Sequence, residues 1–241
     1  MKNSISKIIA ILFLGTIFTS CNAEMFNSVN GNRNVITQVR KTPNNFTGIK
    51  VSTGIDLHIN QGSKNKVTVE ADENLHDIII TEVKDGVLKI YSEKSIWKAK
   101  ARKVYVTIKD LTLLKATSGS NVYGKGIIKT NEISISSTSG ADIRITVNAT
   151  SVETNSTSGS DIRIAGTTIN HASSATSGAS IDAYELESKN VIVNATSGAG
   201  INIYASEKLD AKANSGGDIN FKGNPKSVNK NSSSGGDISK I

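Results

Sequence analysis

Thr138-Ser139-Gly140-Ala141-Asp142-Ile143 is followed by Thr157-Ser158-Gly159-Ser160-Asp161-Ile162 and then by Thr176-Ser177-Gly178-Ala179-Ser180-Ile181. The phrase begins at Thr117-Ser118-Gly119-Ser120-Asn121-Val122. It returns at Thr196-Ser197-Gly198-Ala199-Gly200-Ile201, Asn214-Ser215-Gly216-Gly217-Asp218-Ile219 and Ser233-Ser234-Gly235-Gly236-Asp237-Ile238. Its glycines stand at 119, 140, 159, 178, 198, 216 and 235, with steps of 21, 19, 19, 20, 18 and 19 residues. A fixed period near 20 marks a solenoid, because a helical repeat takes about 33 residues and a propeller blade about 40. The leucine ladder and asparagine of a leucine-rich repeat are missing. The expectation is an all-β chain wound as a parallel β-helix, with about 19–20 residues per coil.

Counting from each glycine gives the columns. Three residues after it stand Val122, Ile143, Ile162, Ile181, Ile201, Ile219 and Ile238, and two further on Ile145, Ile164, Ala183, Ile203 and Phe221. Seven before it stand Ile133, Val152, His171, Val191, Leu209 and Val228; three before it, Ser137, Ser156, Ala175, Ala195, Ala213 and Ser232. Alternation on both sides of a glycine reads as strand, corner, strand, with Gly119, Gly140, Gly159, Gly178, Gly198, Gly216 and Gly235 as corners that suit positive φ. Continued alternation sends the serines just before these glycines inward and the threonines before them outward.

Upstream of this array, Phe46 to Leu114 holds alternating runs such as Ile55-Asp56-Leu57-His58-Ile59 and Val104-Tyr105-Val106-Thr107-Ile108, with turn residues between them. Ser52-Thr53-Gly54-Ile55-Asp56 echoes the repeated phrase, and the 65 residues from Gly54 to Gly119 are the length of about three coils. This half carries the only tryptophan, Trp97, and reads as irregular first coils or a cap on the solenoid. The expected organisation is one domain over 46–241, irregular over 46–114 and regular over 115–241.

The N-terminus reads as an address. Lys2 and Lys7 precede an apolar run from Ile8 to Phe18, too short to span a bilayer as a mature helix. Phe18-Thr19-Ser20-Cys21 resembles the lipobox of bacterial lipoproteins, with Phe where Leu is usual. Residues 1–20 are therefore expected to be a lipoprotein signal peptide, with Cys21 as the lipid-attachment residue. An ordinary secretory signal is the alternative. Cys21 is the only cysteine, so no internal disulfide forms. Residues 21–45 are polar and asparagine-rich and read as a flexible tether.

The formal charge is +7; the first 20 residues contribute two lysines and no acid, which leaves +5. Basic residues are scattered and lack an aromatic platform, so nucleic acid is not an expected partner.

Phe46-Thr47-Gly48-Ile49-Lys50-Val51-Ser52-Thr53-Gly54-Ile55-Asp56, Val67-Thr68-Val69-Glu70-Ala71-Asp72-Glu73-Asn74-Leu75 and Gly86-Val87-Leu88-Lys89-Ile90, followed by the Ser-Gly phrases, resemble the auto-transporter adhesin head GIN domain family. The resemblance spans about Phe46 to Ile241. It implies a β-helical fold in exported, often lipid-anchored bacterial proteins, and it brings no catalytic residues.

Several constellations are weighed on chemistry. Asp142, Asp161, Asp218 and Asp237 share the column two after the glycine. They read as turn residues, with a stacked carboxylate row for calcium or glycoside chemistry as the alternative. Ser180 and Gly200 interrupt that row, and Arg144 and Arg163 lie two residues beyond Asp142 and Asp161. Tyr184 and Tyr204, 20 residues apart, are expected to stack outward on adjacent coils and read as ordinary strand surface; the alternative is an aromatic pair that receives a sugar or peptide, with Asp142 and Asp161 as the other candidate surface-binding residues. His171 falls on an inward column and reads as a core histidine. No serine has both a histidine and an acid beside it in the repeat, and no cofactor or metal is expected. The reading is a non-enzymatic, lipid-anchored protein of the cell envelope at the outer membrane, on its periplasmic face or the cell surface, with a glycan or protein ligand. Alternatives are a polysaccharide-acting β-helix enzyme and a structural spacer whose C-terminal coil lacks an evident cap.

Overall fold

The computed structural model describes residues 28–43 and 45–241. Five long strands each make one whole coil: β11 (Asn121–Thr138), β12 (Asp142–Thr157), β13 (Asp161–Thr176), β14 (Ser180–Thr196) and β15 (Gly200–Asn214). Their pairing is parallel and in the register that the repeats predict, as in Asp142↔Asp161, Ile143↔Ile162 and Thr157↔Thr176. β16 (Asp218–Lys222), β17 (Ser227–Ser233) and β18 (Asp237–Lys240) complete the C-terminal end, and the solenoid has about seven turns. Ile143, Ile162, Ile181 and Ile201 are each 1% exposed. Each such side chain contributes about 1.5–3 kcal/mol by burial, so the stacked columns form one continuous apolar axis.

The corners explain the repeated phrase. Ser118, Ser139, Ser158, Ser177, Ser197, Ser215 and Ser234 have φ between 49 and 57°, and the glycines that follow lie between 66 and 76°. Two successive left-handed residues interrupt the alternation. The serine side chains therefore point out and are exposed, contrary to the inward column expected from a simple period of two. The residue after each glycine turns in instead: Ser120, Ala141, Ser160, Ala179 and Ala199 are buried. Each corner glycine donates its N–H to the serine carbonyl of the next coil, from Gly119 to Ser139 at 3.1 Å through Gly216 to Ser234 at 3.1 Å. Inside, Ser137 Oγ donates to Ala141 O at 2.7 Å and Ser156 Oγ to Ser160 O at 2.8 Å, which satisfies the small polar column.

The N-terminal half departs from a simple stack. β3 (Gly48–Val51), the Thr53-Gly54 corner and β4 (Asp56–Gln61) form a coil that lies directly on β10 (Leu113–Ala116) and β11, and Gly54 N donates to Ser118 O at 3.0 Å. The intervening residues are thus not three further coils between these corners. β7 (Val87–Ser92) and β9 (Arg102–Ile108) lie on the outer side of β3 and β4. There β5 (Lys66–Asp72) and β6 (Ile79–Lys84) add antiparallel strands against β9 and β7.

The expected tether also differs. Within it, β1 (Val29–Asn30) pairs with β8 (Ile96–Lys98), and β2 (Val35–Arg40) pairs antiparallel with β5. Asp72 pins this end, accepting from the backbone N–H groups of Arg33, Lys100 and Ala101 at 3.0–3.1 Å. Burial works to raise its pKa, but these donors hold the carboxyl below the usual range. Residues 1–27, with the expected signal peptide and Cys21, lie outside the described residues.

The corner geometry makes two glycines separable by experiment. At Gly159 a Cβ would meet open space, so Gly159→Ala is expected to cost only the left-handed penalty of about 1–2 kcal/mol. At Gly217 a Cβ would sit 2.4 Å from Ala195 O, and Gly217→Ala is expected to cost about 3 kcal/mol as the last coils shift. Urea unfolding of both variants checks the order; equal losses would contradict this account of the corner.

Candidate functional site

A trough on the rod lies away from the Ser-Gly corners. It has a volume of about 1260 Å³, crosses β11 to β15 and is lined by Thr130, Glu132, Thr150, Ile169, Lys189 and Tyr204, among others. With strands about 4.8 Å apart, five of them make a trough roughly 20 Å long. Its rim is the in-register column Lys129↔Asn148↔Thr167↔Glu187. At its N-terminal end Gln61 stands in for a strand: its Nε2 donates to Lys109 O and Lys129 O, and its Oε1 accepts from Lys129 N, all at 2.8–2.9 Å. The floor is tied by Thr168 Oγ1, which donates to Thr150 O at 3.2 Å, and Ser206 Oγ, which donates to Ser188 O at 3.3 Å. Ile169 is 44% exposed, an apolar spot in a mostly polar channel.

Residues singled out in the sequence fall on two different surfaces. Asp142 and Asp161 are paired in register on the strand run that follows the Ser-Gly corner. They border a small depression of about 160 Å³ with Arg144, Arg163, Ser180 and Asp182. Ser180 Oγ donates to Asp161 Oδ1. Arg163 Nε lies 3.6 Å from Asp182 Oδ2 on the next coil, so its ion-pair partner is Asp182 rather than Asp161. Among the described residues no group of three His, Cys, Asp or Glu side chains is placed to hold a metal ion.

Tyr184 and Tyr204 do not form the expected ladder. A register shift after Ala183↔Ile203 ends the pairing before Tyr184, and Tyr204 pairs with Lys222. Lys222 Nζ sits 4.2 Å from the centroid of the Tyr184 ring. Burial, and then Asp182, push the Tyr184 phenol above its ordinary pKa. Tyr204 alone of the two reaches the trough.

The aromatic ladder that does exist was not anticipated. Tyr105, His58 and Tyr123 stack with centroids 5.0 and 5.1 Å apart, and Arg144 lies 5.9 Å from the centroid of Tyr123. His58 and Tyr123 both stand four residues after a corner glycine, a signal legible in the sequence. Tyr105 comes from β9, which has no such corner, and only the pairing of β9 with β4 brings it there.

Comparison with known proteins agrees with this architecture. A family model described as "Putative auto-transporter adhesin, head GIN domain" matches residues 45–225. The chain belongs to this family. No functionally curated protein matches it. Among solved structures, a "putative adhesin" from Bacteroides fragilis is similar with a TM-score of 0.83 and 21% identity, covering 89% of this chain and 100% of that one. A "putative lipid binding protein" from Parabacteroides distasonis has a TM-score of 0.74 and 22% identity, covering 89% and 99%. A "putative adhesin" from Parabacteroides merdae has a TM-score of 0.73 and 20% identity, again covering 89% and 99%. At these identities the likeness is one of fold.

His171 lies inside the axis, as expected, between Val152 and Val191 of the adjacent coils. Its Nε2 meets Thr154 Oγ1 at 3.0 Å, and Thr154 Oγ1 also donates to Ser173 Oγ at 3.0 Å. Its Nδ1 is buried without a partner, and burial lowers the pKa from 6.5 to about 4. Above pH 6.5 neither folded nor unfolded chain holds the proton, and stability is full. As pH falls toward 4 the unfolded chain takes it first, and the fold loses about 3 kcal/mol. His171→Val, which repeats the residue of the neighbouring coils, is expected to remove that part of the loss. Thermal midpoints from pH 7.5 to 4 check this; the same acid slope in both proteins would refute it.

Proposed function

We propose that this protein is an exported, lipid-anchored, non-enzymatic binding module of the outer membrane, and that its trough receives an extended polar ligand, a glycan or a protein segment. The observation that carries the reading is the trough itself. Hydroxyl, amide and charged groups recur along it coil after coil, from Thr130 and Glu132 through Thr150 and Thr168 to Lys189 and Ser206. Catalysis requires groups converging on one reacting atom, whereas repetition along a channel suits a chain laid lengthwise. Within the same trough Tyr204 offers an amphipathic ring and Ile169 an apolar contact. The family's adhesin description supports the same direction.

Membrane attachment rests on Cys21 after the basic and apolar leader. Several acyl chains on one residue give firm anchoring at about 0.8 kcal/mol per buried CH2. Acyl labelling lost in Cys21→Ser, with release of the protein from the membrane fraction, is the expected result. Protease shaving of intact cells then distinguishes the cell surface from the periplasmic face.

For the ligand, the lipidated protein in detergent is screened against glycan and protein arrays. Any binder is expected to weaken at least tenfold with Thr150→Arg or Tyr204→Ala and to be unaffected by Asn194→Ala, outside the trough. A binder indifferent to both trough variants, or arrays without any binder, would overturn the trough reading.

A further inference from the structure

The last coil carries side chains that the preceding coils do not. Leu209↔Val228, Ala211↔Lys230 and Ala213↔Ser232 are in register, as are Ile219↔Ile238 and Phe221↔Lys240. Lys230 therefore stands on the inward column that runs through Leu114, Ile135, Thr154, Ser173, Val193 and Ala211. Lys240 stands on the column of Ile203 and Phe221. Among the described residues the earlier members of both columns are apolar or small hydroxyl residues, and the lysines stand on the last described coil. The two cations are engaged rather than splayed. Lys230 Nζ lies 4.7 Å from the Phe221 ring centroid, the last large residue of the core, and donates to Ile238 O at 3.2 Å. Lys240 Nζ donates to Asn224 Oδ1 at 2.7 Å.

The opposite end uses a related arrangement. Arg40 pairs with the inward Val67, and its Nη2 donates to His76 O at 2.6 Å and Ile79 O at 3.3 Å across the end of the core.

We propose that Lys230 and Lys240 are a built-in stop that closes the C-terminal edge of the rod to a second copy of this chain. Among the described residues β17 pairs only with β15 and β18 only with β16, so one edge of each strand is left without a partner strand there. Such an edge is a template for another strand, and inward-pointing charge is one way to block it. Docking of a further coil would enclose both ammonium groups in the axis without a counter-ion, and the cost of burying such charges exceeds the gain from edge hydrogen bonds. Two tails meeting would also oppose like charges.

The test uses the processed chain from residue 21 with Cys21→Ser, so that no lipid drives association. Light scattering is expected to give the mass of one chain at every concentration for the otherwise unaltered protein and for Lys230→Arg/Lys240→Arg. Lys230→Ala/Lys240→Leu, which continues the residue types of the two columns, is expected to at least double the mass as concentration rises. Far-UV circular dichroism and the thermal midpoint confirm that each variant is folded. Assembly of the unaltered protein, assembly of the arginine variant, or a folded Ala/Leu variant that stays a single chain would each overturn the proposal. If Ala/Leu fails to fold, single Lys240→Leu carries the same expectation: association sustains the proposal, and a folded single chain overturns it.

Discussion

Two consecutive left-handed residues at each corner are the constraint from which the rest of the structure follows. A serine at positive φ is disfavoured, and repeating it seven times has a cumulative cost. What offsets that cost is the turn itself, which redirects the strand while aiming the glycine N–H along the rod at the next serine carbonyl. Each corner is therefore hydrogen-bonded to its neighbours and not only to itself. The resulting ladder holds every coil in one register, and register decides whether Ile143, Ile162, Ile181 and Ile201 share one axis. A slip of a single residue would turn those columns toward water.

A core this narrow tolerates polar residues only where the stack can satisfy them. Ser137 and Ser156 bond to carbonyls across their own corners, at Ala141 and Ser160. Thr154, His171 and Ser173 satisfy one another across two coils, at the expense of a buried histidine nitrogen without a partner. The same logic governs the ends. At the two ends of the described stack, Lys230 and Arg40 occupy inward positions and donate hydrogen bonds to backbone carbonyls. Regularity thus creates the trough and also the strand edges at the ends of the stack, where these cations stand.

The surface offers repetition rather than a focused pocket. Every coil contributes similar groups at a similar place, so the trough is a periodic strip suited to a ligand that is itself extended. The departures from periodicity come from unequal repeat lengths. The longer coil that holds Tyr184 shifts out of step with the shorter one after it, which leaves Tyr184 to Lys222 and Tyr204 to the trough.

The sequence by itself determined the class of fold, the coil length, the corner glycines and the inward isoleucine columns, because all of these are periodic and local. It also placed His171 inside and put His58 and Tyr123 at equal offsets from their corners. It did not reveal that the serines face out, since that depends on two successive positive φ angles rather than on alternation. Only the tertiary structure decided that Gly54 sits directly upon Gly119, that β2 is a strand rather than tether, and that Tyr105 joins His58. Those outcomes depend on pairings between segments tens of residues apart. No local pattern encodes which of several alternating runs will meet; that is settled by which pairings satisfy the backbone groups of segments far apart in the chain.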